Sequence, residues 1–138
     1  MKANITKLQH VQNNLARGVL QKPRRIHADD LLVQLYWLPV SYFIKYKIAL
    51  IIYKALKFGH LHKLDDLLIH QQEVRATRFE GHCRFHQPVP NSPTSSRGFR
   101  YATPSMWNSL PPDLRIKKTV LAIKTGLKTY MFLSAYGR

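Results

Sequence analysis

LYWLPVSYFIKYKIALIIYKALK, residues 35–57, is the stretch on which the fold turns. Pro39 biases Leu38 away from helical geometry and suits the first turn of a helix that follows. The run from about Val40 to Lys57 then reads as the clearest helix in the chain. Ile44, Ile48, Ile51 and Ala55 share one face, Lys47 and Lys54 flank it two turns apart, and Lys57 lies beside them. That pattern predicts a core helix whose back meets solvent or a polyanion. For any single lysine the plainer reading is a solvated face. The most apolar region runs from Leu31 to Leu56, but Pro39 interrupts it and Lys45, Lys47 and Lys54 lie inside it. Its longest charge-free piece, Leu31 to Ile44, is too short to span a bilayer, so no membrane span is expected.

Helical period extends outward from this element. Ile5, Leu8, Val11, Leu15 and Val19 form one apolar stripe, and QKPRR at 21–25 closes it. A short helix is expected from His27–Asp30 to about Leu35, and Phe58-Gly59 ends the central helix. LDDLL, residues 64–68, reads as another helical turn. From about His70 to Thr103 the period is lost amid Gly81, Pro88, Pro90, Asn91, Pro93 and Gly98. This predicts a long irregular loop with room for two short strands, at Arg78–Arg84 and Phe99–Ala102. A helix restarts around Ser105–Ser109, and PPDLR at 111–115 makes a turn and a new start. The last helix, about Thr119 to Leu133, turns Val120, Ile123, Leu127, Tyr130 and Met131 inward and Lys117, Lys124 and Lys128 outward. With 138 residues the expectation is one small, mainly α domain: a helical segment at 1–69, a loop-rich connector at 70–103 and a helical segment at 104–138.

Charge narrows the function. Lys and Arg number 22 against 7 Asp and Glu, a formal +15. The carboxylates are Asp29, Asp30, Asp65, Asp66, Glu73, Glu80 and Asp113, which leaves 1–28, 31–64, 81–112 and 114–138 without one. Such a field repels itself unless an anion neutralises it. Nucleic acid is the leading partner, an anionic membrane surface the second, and a basic domain with scattered surface charge the plain alternative. Cys83 is the only cysteine, which excludes an internal disulfide and a multi-cysteine zinc ribbon and suits a reducing compartment. The N-terminus is too polar for a signal-peptide core, so the expected location is nucleus or cytoplasm rather than outside the cell.

Chemistry candidates are few. HADD, residues 27–30, sets two aspartates beside an apolar run, as a polymerase metal centre does. Two-metal catalysis needs carboxylates from two places, and no Asp or Glu precedes Asp29. A helix N-cap and first-turn acid explain Asp29 and Asp30 better. His60, His62, His82, Cys83 and His86 offer metal-ligand atoms without the two tight pairs a structural zinc site uses. No GxSxG frames a nucleophile and no glycine-rich loop cradles phosphate. No catalytic residue, metal or cofactor is therefore expected. The basic clusters say more: Lys22, Arg24 and Arg25; Arg75 and Arg78; Arg97 and Arg100; Arg115, Lys117 and Lys118. All but Arg75 and Arg78, with Lys47, Lys54, Lys124 and Lys128 added, form the expected nucleic-acid-binding set. Tyr36, Trp37, Tyr42, Phe43, Phe99, Tyr101 and Trp107 accompany the clusters. Cations neutralise phosphates and exposed aromatics stack on unpaired bases, although core packing is the better reading of Trp37 and Trp107.

Several stretches together are more specific. LQHVQNNLAR (8–17), LYWLPVSYFIKYKIALIIYKAL (35–56), LDDLL (64–68), RGFRYATPSMWNSLPPDLR (97–115) and IKTGLKTYMF (123–132) occur in that order. They resemble the C-terminal region of the reverse transcriptase of LINE-type, non-LTR retrotransposons, in its jockey-like and chicken-repeat-like branches. The pattern residues are Leu8, Gln9, Val11, Gln12 and Asn13; Leu35, Trp37, Leu38, Pro39 and Val40; and Tyr53 to Leu56. They continue with Phe99, Pro104, Trp107, Asn108, Ser109, Leu110, Pro111, Leu114 and Arg115, and end with Lys124, Leu127, Lys128 and Thr129. The likeness covers about residues 6 to 134. It departs at HADD, where the family has His-Ile-Thr-Pro, at Ile123, where it has phenylalanine, and over 70–95. The resemblance implies a fragment lying downstream of the polymerase palm and thumb, without the palm aspartates or the endonuclease. The parent family is RNA-directed DNA polymerase. A fragment of this kind would hold RNA or DNA without sequence preference, beside a reverse-transcriptase core. The alternative is a docking domain that binds that core and no nucleic acid.

Overall fold

The structure, a computed structural model, describes residues 2–58, 84–89, 92 and 98–137. It is mainly helical, with six helices among those residues: α1 (Lys2–Leu20), α2 (Ala28–Gln34), α3 (Val40–Phe58), α4 (Phe99–Asn108), α5 (Pro112–Arg115) and α6 (Val120–Tyr136). They fall into two compact units, one of Met1–Tyr46 with Leu127–Arg138, the other of Lys47–Gly126. The first unit is thus built from both ends of the chain and the second from its middle.

In the first unit, α1 does not bury its apolar stripe. Leu8, Val11, Leu15 and Val19 are each more than half exposed. The helix packs through the neighbouring face, where Ala16 is fully buried and joins Leu31 and Leu32 of α2 in a core bordered by Leu20, Ile26, Leu35, Trp37 and Tyr136. Polar chemistry selects that face. Gln12 Nε2 donates to the Leu38 carbonyl at 2.8 Å, and the Val40 amide donates to Gln9 Oε1 at 2.8 Å. Gln9 Nε2 also donates to Gln12 Oε1 and Asn13 Oδ1. These amides satisfy the backbone on both sides of Pro39, groups that would otherwise lack partners at a corner. Ala16 then supplies the small surface that lets α2 approach.

Both connections after α1 and α2 close in the same way. The Lys22 amide donates to the Arg17 carbonyl and the Gln21 amide to the Gly18 carbonyl, with Gln21 at φ 50°. The Trp37 amide donates to the Leu32 carbonyl and the Tyr36 amide to the Val33 carbonyl, with Tyr36 at φ 54°. Each is a Schellman closure whose left-handed position, normally glycine, carries a side chain. Pro23 and Pro39 follow and prevent the helix from resuming. At the start of α2 the N-cap is His27, and Asp29 and Asp30 both occupy the first turn. This corrects the assignment of one of them as the cap. The carboxylates face the positive end of the helix dipole, and Asp29 Oδ2 lies 3.7 Å from His27 Nδ1.

The second unit holds most of α3, whose extent is as expected but whose buried face is not. Ala49, Leu50, Ile52, Tyr53 and Ala55 are buried, whereas Ile44 and Ile51 stand exposed. A helix apolar nearly all round gives its period little power to choose a side. The expected strand at Phe99–Ala102 is the first turn of α4 instead, so the helix starts six residues before Ser105. Pro104 lies inside α4 and gives up one amide donor there. Its ring is fully buried with Thr103 and Trp107, and that packing holds the helix through it. Trp107 packs on Phe85, with ring centroids 6.2 Å apart. Asn108 pairs both ways with the Phe85 backbone, accepting from its amide at 3.1 Å and donating to its carbonyl at 2.8 Å. Pro112 opens α5 at its first position, and Thr119 Oγ1 caps α6 by accepting from the Ala122 amide. Gly126 permits a close approach: a Cβ there would stand 2.7 Å from Leu114 Cδ2. Of the other expected strand, Arg78–Arg84, residues 78–83 lie outside the described residues, as does the LDDLL turn.

Candidate nucleic-acid interface

Cations gather in the second unit through two ties to carbonyl groups. The Tyr53 hydroxyl, on α3, donates to the Lys117 carbonyl at 2.8 Å. One helical turn later, the Lys57 ammonium donates to the Lys118 carbonyl. The α5–α6 turn is thereby fixed beside the C-terminal part of α3, and Lys54, Lys57, Lys117 and Lys118, all exposed, share one edge. Among the described residues of this unit Asp113 is the sole carboxylate. Burial pushes the Tyr53 hydroxyl above the ordinary tyrosine range and keeps it a donor. Lys57 stands outside the set expected from sequence. Its spacing from Lys54 could have suggested it, but only the fold brings it to 117–118.

The remaining expected residues divide. Lys47, Arg100 and Lys124 are exposed in the second unit, and Lys22, Arg24 and Arg25 are exposed in the α1–α2 connection of the first. Arg115 is a correction: it is only 7 % exposed, drawn in at the end of α5, and is not presented to a phosphate. Lys128 is another. Instead of pointing outward it is half-buried, with its ammonium 4.6 Å from the centroid of the Tyr36 ring. Arg97, Arg75, Arg78, His60, His62, His82 and Cys83 lie outside the described residues. No cluster of three or more potential metal ligands occurs among the described residues. No helix among them is long and apolar enough to cross a membrane.

The motif residues hold the architecture. Tyr53, Pro104 and Trp107 are buried, Asn108 pins the Phe85 backbone, and Pro111 is the N-cap of α5. Pro39, half-buried, accepts the Phe43 amide at the start of α3. Phe99 is half-buried at the first position of α4. Trp37 accepts a 2.8 Å hydrogen bond on its carbonyl from the Tyr136 hydroxyl. Its ring lines a concavity of about 420 Å³ in the first unit, together with Gln12, Tyr36, Phe43, Tyr46 and Lys128. Sequence reasoning named Tyr36, Trp37 and Phe43 as candidate stacking rings. It missed Tyr46, whose i, i+3 spacing from Phe43 was a readable signal.

No protein-family model, no curated protein and no solved structure matches the chain.

Proposed function

We propose that the chain is a non-catalytic, basic nucleic-acid-binding module, resembling the C-terminal region of a LINE-type reverse transcriptase and acting in the nucleus or cytoplasm. The observation that carries this reading is the edge formed by Lys54, Lys57, Lys117 and Lys118 on a chain of formal charge +15. Closely set cations are what a phosphate backbone neutralises, with release of its counterions. Such binding follows the charge of the polymer and not its sequence. Fluorescence anisotropy with a labelled single-stranded RNA tests it: binding at low salt should weaken steeply as salt rises. Absence of binding at low salt would sink the reading. In primer extension the isolated chain should add no nucleotides, and extension abolished by Asp29→Ala would reverse that expectation.

A second reading has one observation in its favour. The exposed stripe Leu8, Val11, Leu15 and Val19 on α1 has the spacing of a helix that docks on another protein, a reverse-transcriptase core by resemblance. On that reading the chain would bind the core and leave RNA untouched at any salt.

A further inference from the structure

In the first unit, α1 leaves its apolar line to solvent. Leu8, Val11, Leu15 and Val19 are each more than half exposed, and Gly18 beside them has open space above it. The neighbouring face is taken: Gln9 and Gln12 bind the backbone around Pro39, and Ala16 packs on α2. The helix is therefore fixed along one side and open along another. A groove that grips a docking helix needs its flanks as well. Four apolar side chains also fall far short of the roughly 20–30 residues a side of a stable protein interface. So narrow a line suits a flat, deformable apolar medium. Charge sharpens the choice. Lys7, four residues before Val11, flanks the stripe, and Lys22, Arg24 and Arg25 follow its end. All four are exposed, and none joins an ion pair among the described residues. The bond from the Lys22 amide to the Arg17 carbonyl holds this basic connection at the last turn of α1, three residues past Val19. Residues 1–30 hold six Lys and Arg against two Asp, and both Asp lie on α2. An exposed apolar stripe edged by cations is the chemistry of a helix lying in the headgroup layer of an anionic bilayer.

We infer that α1 docks on an anionic lipid surface, with Leu8, Val11, Leu15 and Val19 in the headgroup–acyl boundary and Lys7, Lys22, Arg24 and Arg25 against the headgroup anions. The inference goes beyond the nucleic-acid reading and does not depend on it, since the lysine edge that carries that reading belongs to the other unit. The three basic residues of the α1–α2 connection are thereby assigned to lipid. The contact is interfacial, because no helix among the described residues is long and apolar enough to cross a membrane. Apolar area and cations act together here, so a neutral bilayer lacks half of the attraction.

Vesicle co-sedimentation of the full chain is the test, with vesicles of phosphatidylcholine alone and with vesicles containing roughly one-third phosphatidylserine. The chain should sediment with the second kind and stay in solution with the first. The double variant Leu8→Ser, Leu15→Ser should weaken binding to the anionic vesicles roughly tenfold, with the melting temperature and RNA affinity nearly unchanged. The triple variant Lys22→Ala, Arg24→Ala, Arg25→Ala, which leaves the stripe whole, should weaken it by a similar factor. Vesicle binding that survives the leucine substitutions rests on charge alone and overturns the inference, as does failure to bind either vesicle. An equal loss of RNA binding in the leucine variant makes the stripe part of the nucleic-acid surface and overturns it as well. Sedimentation equilibrium without lipid covers the remaining occupant: self-association that the leucine substitutions abolish places a second copy on the stripe and also overturns the inference.

Discussion

Gln21 and Tyr36 occupy equivalent positions, each closing a helix in the left-handed conformation, yet their surroundings differ. Gln21 is exposed, so nothing in the fold offsets its unfavourable φ. Gln21→Gly should therefore stabilise the chain by about 0.5–1 kcal/mol, visible as a higher urea midpoint with unchanged slope. Tyr136 gives a pH-dependent counterpart. Burial, reinforced by the negative charge of Asp29, pushes its hydroxyl up to about 12, and that hydroxyl donates to the Trp37 carbonyl. The folded chain thus holds the proton more tightly than the unfolded one. Stability from this group is complete below pH about 10 and is lost as pH rises from there through about 12. Tyr136→Phe should flatten this alkaline decline in thermal melts recorded across pH, while lowering the melting temperature at neutral pH through the lost hydrogen bond.

At the scale of elements, α1 shows that hydrophobic period and burial can part company. Period alone would make Leu15 a core residue and Leu32 an ordinary member of a short helix. In the fold Leu15 is 57 % exposed and Leu32 fully buried. Leu15→Ala should change stability by less than about 0.5 kcal/mol, whereas Leu32→Ala should cost about 2–5 kcal/mol in denaturant unfolding. Comparable losses for both would mean that α1 packs through its stripe after all. The fourth helix carries the opposite lesson. Gly98, Pro104 and the β-prone Phe99–Ala102 read locally as loop and strand. Burial of Thr103, Pro104 and Trp107 outweighs that local preference, which no window of a few residues can register.

For the molecule as a whole, charge is the dominant quantity and its arrangement the testable one. Lys117 and Lys118 are contiguous in sequence, but their partners Tyr53 and Lys57 are more than sixty residues away. If this edge neutralises phosphates, the Lys117→Ala, Lys118→Ala double variant should weaken RNA binding uniformly across sequences. It should also reduce the steepness of the log-affinity against log-salt plot by about 1–2. Arg115→Ala, at a buried position, should lower stability without changing that slope, because its charge is not offered to the polymer.

The sequence by itself determined that the chain is mainly helical, where α2, α3 and α6 lie to within a few residues, that HADD begins a helix, and that the charge is strongly positive. These follow from local dihedral preference, from proline and from composition, all of which act over a few residues or over none in particular. Only the tertiary structure decided which face of α1 and α3 is buried, that α4 runs through Pro104, that Arg115 is withdrawn and Lys128 lies over Tyr36, and that Lys57 meets 117–118. Those outcomes depend on side chains distant in sequence. Gln9 and Gln12 find the backbone around Pro39 some thirty residues on, and that demand outweighs an apolar stripe just one helical position away. A helical period specifies that a face exists, while the partner that satisfies it is set by packing and hydrogen bonding across the fold.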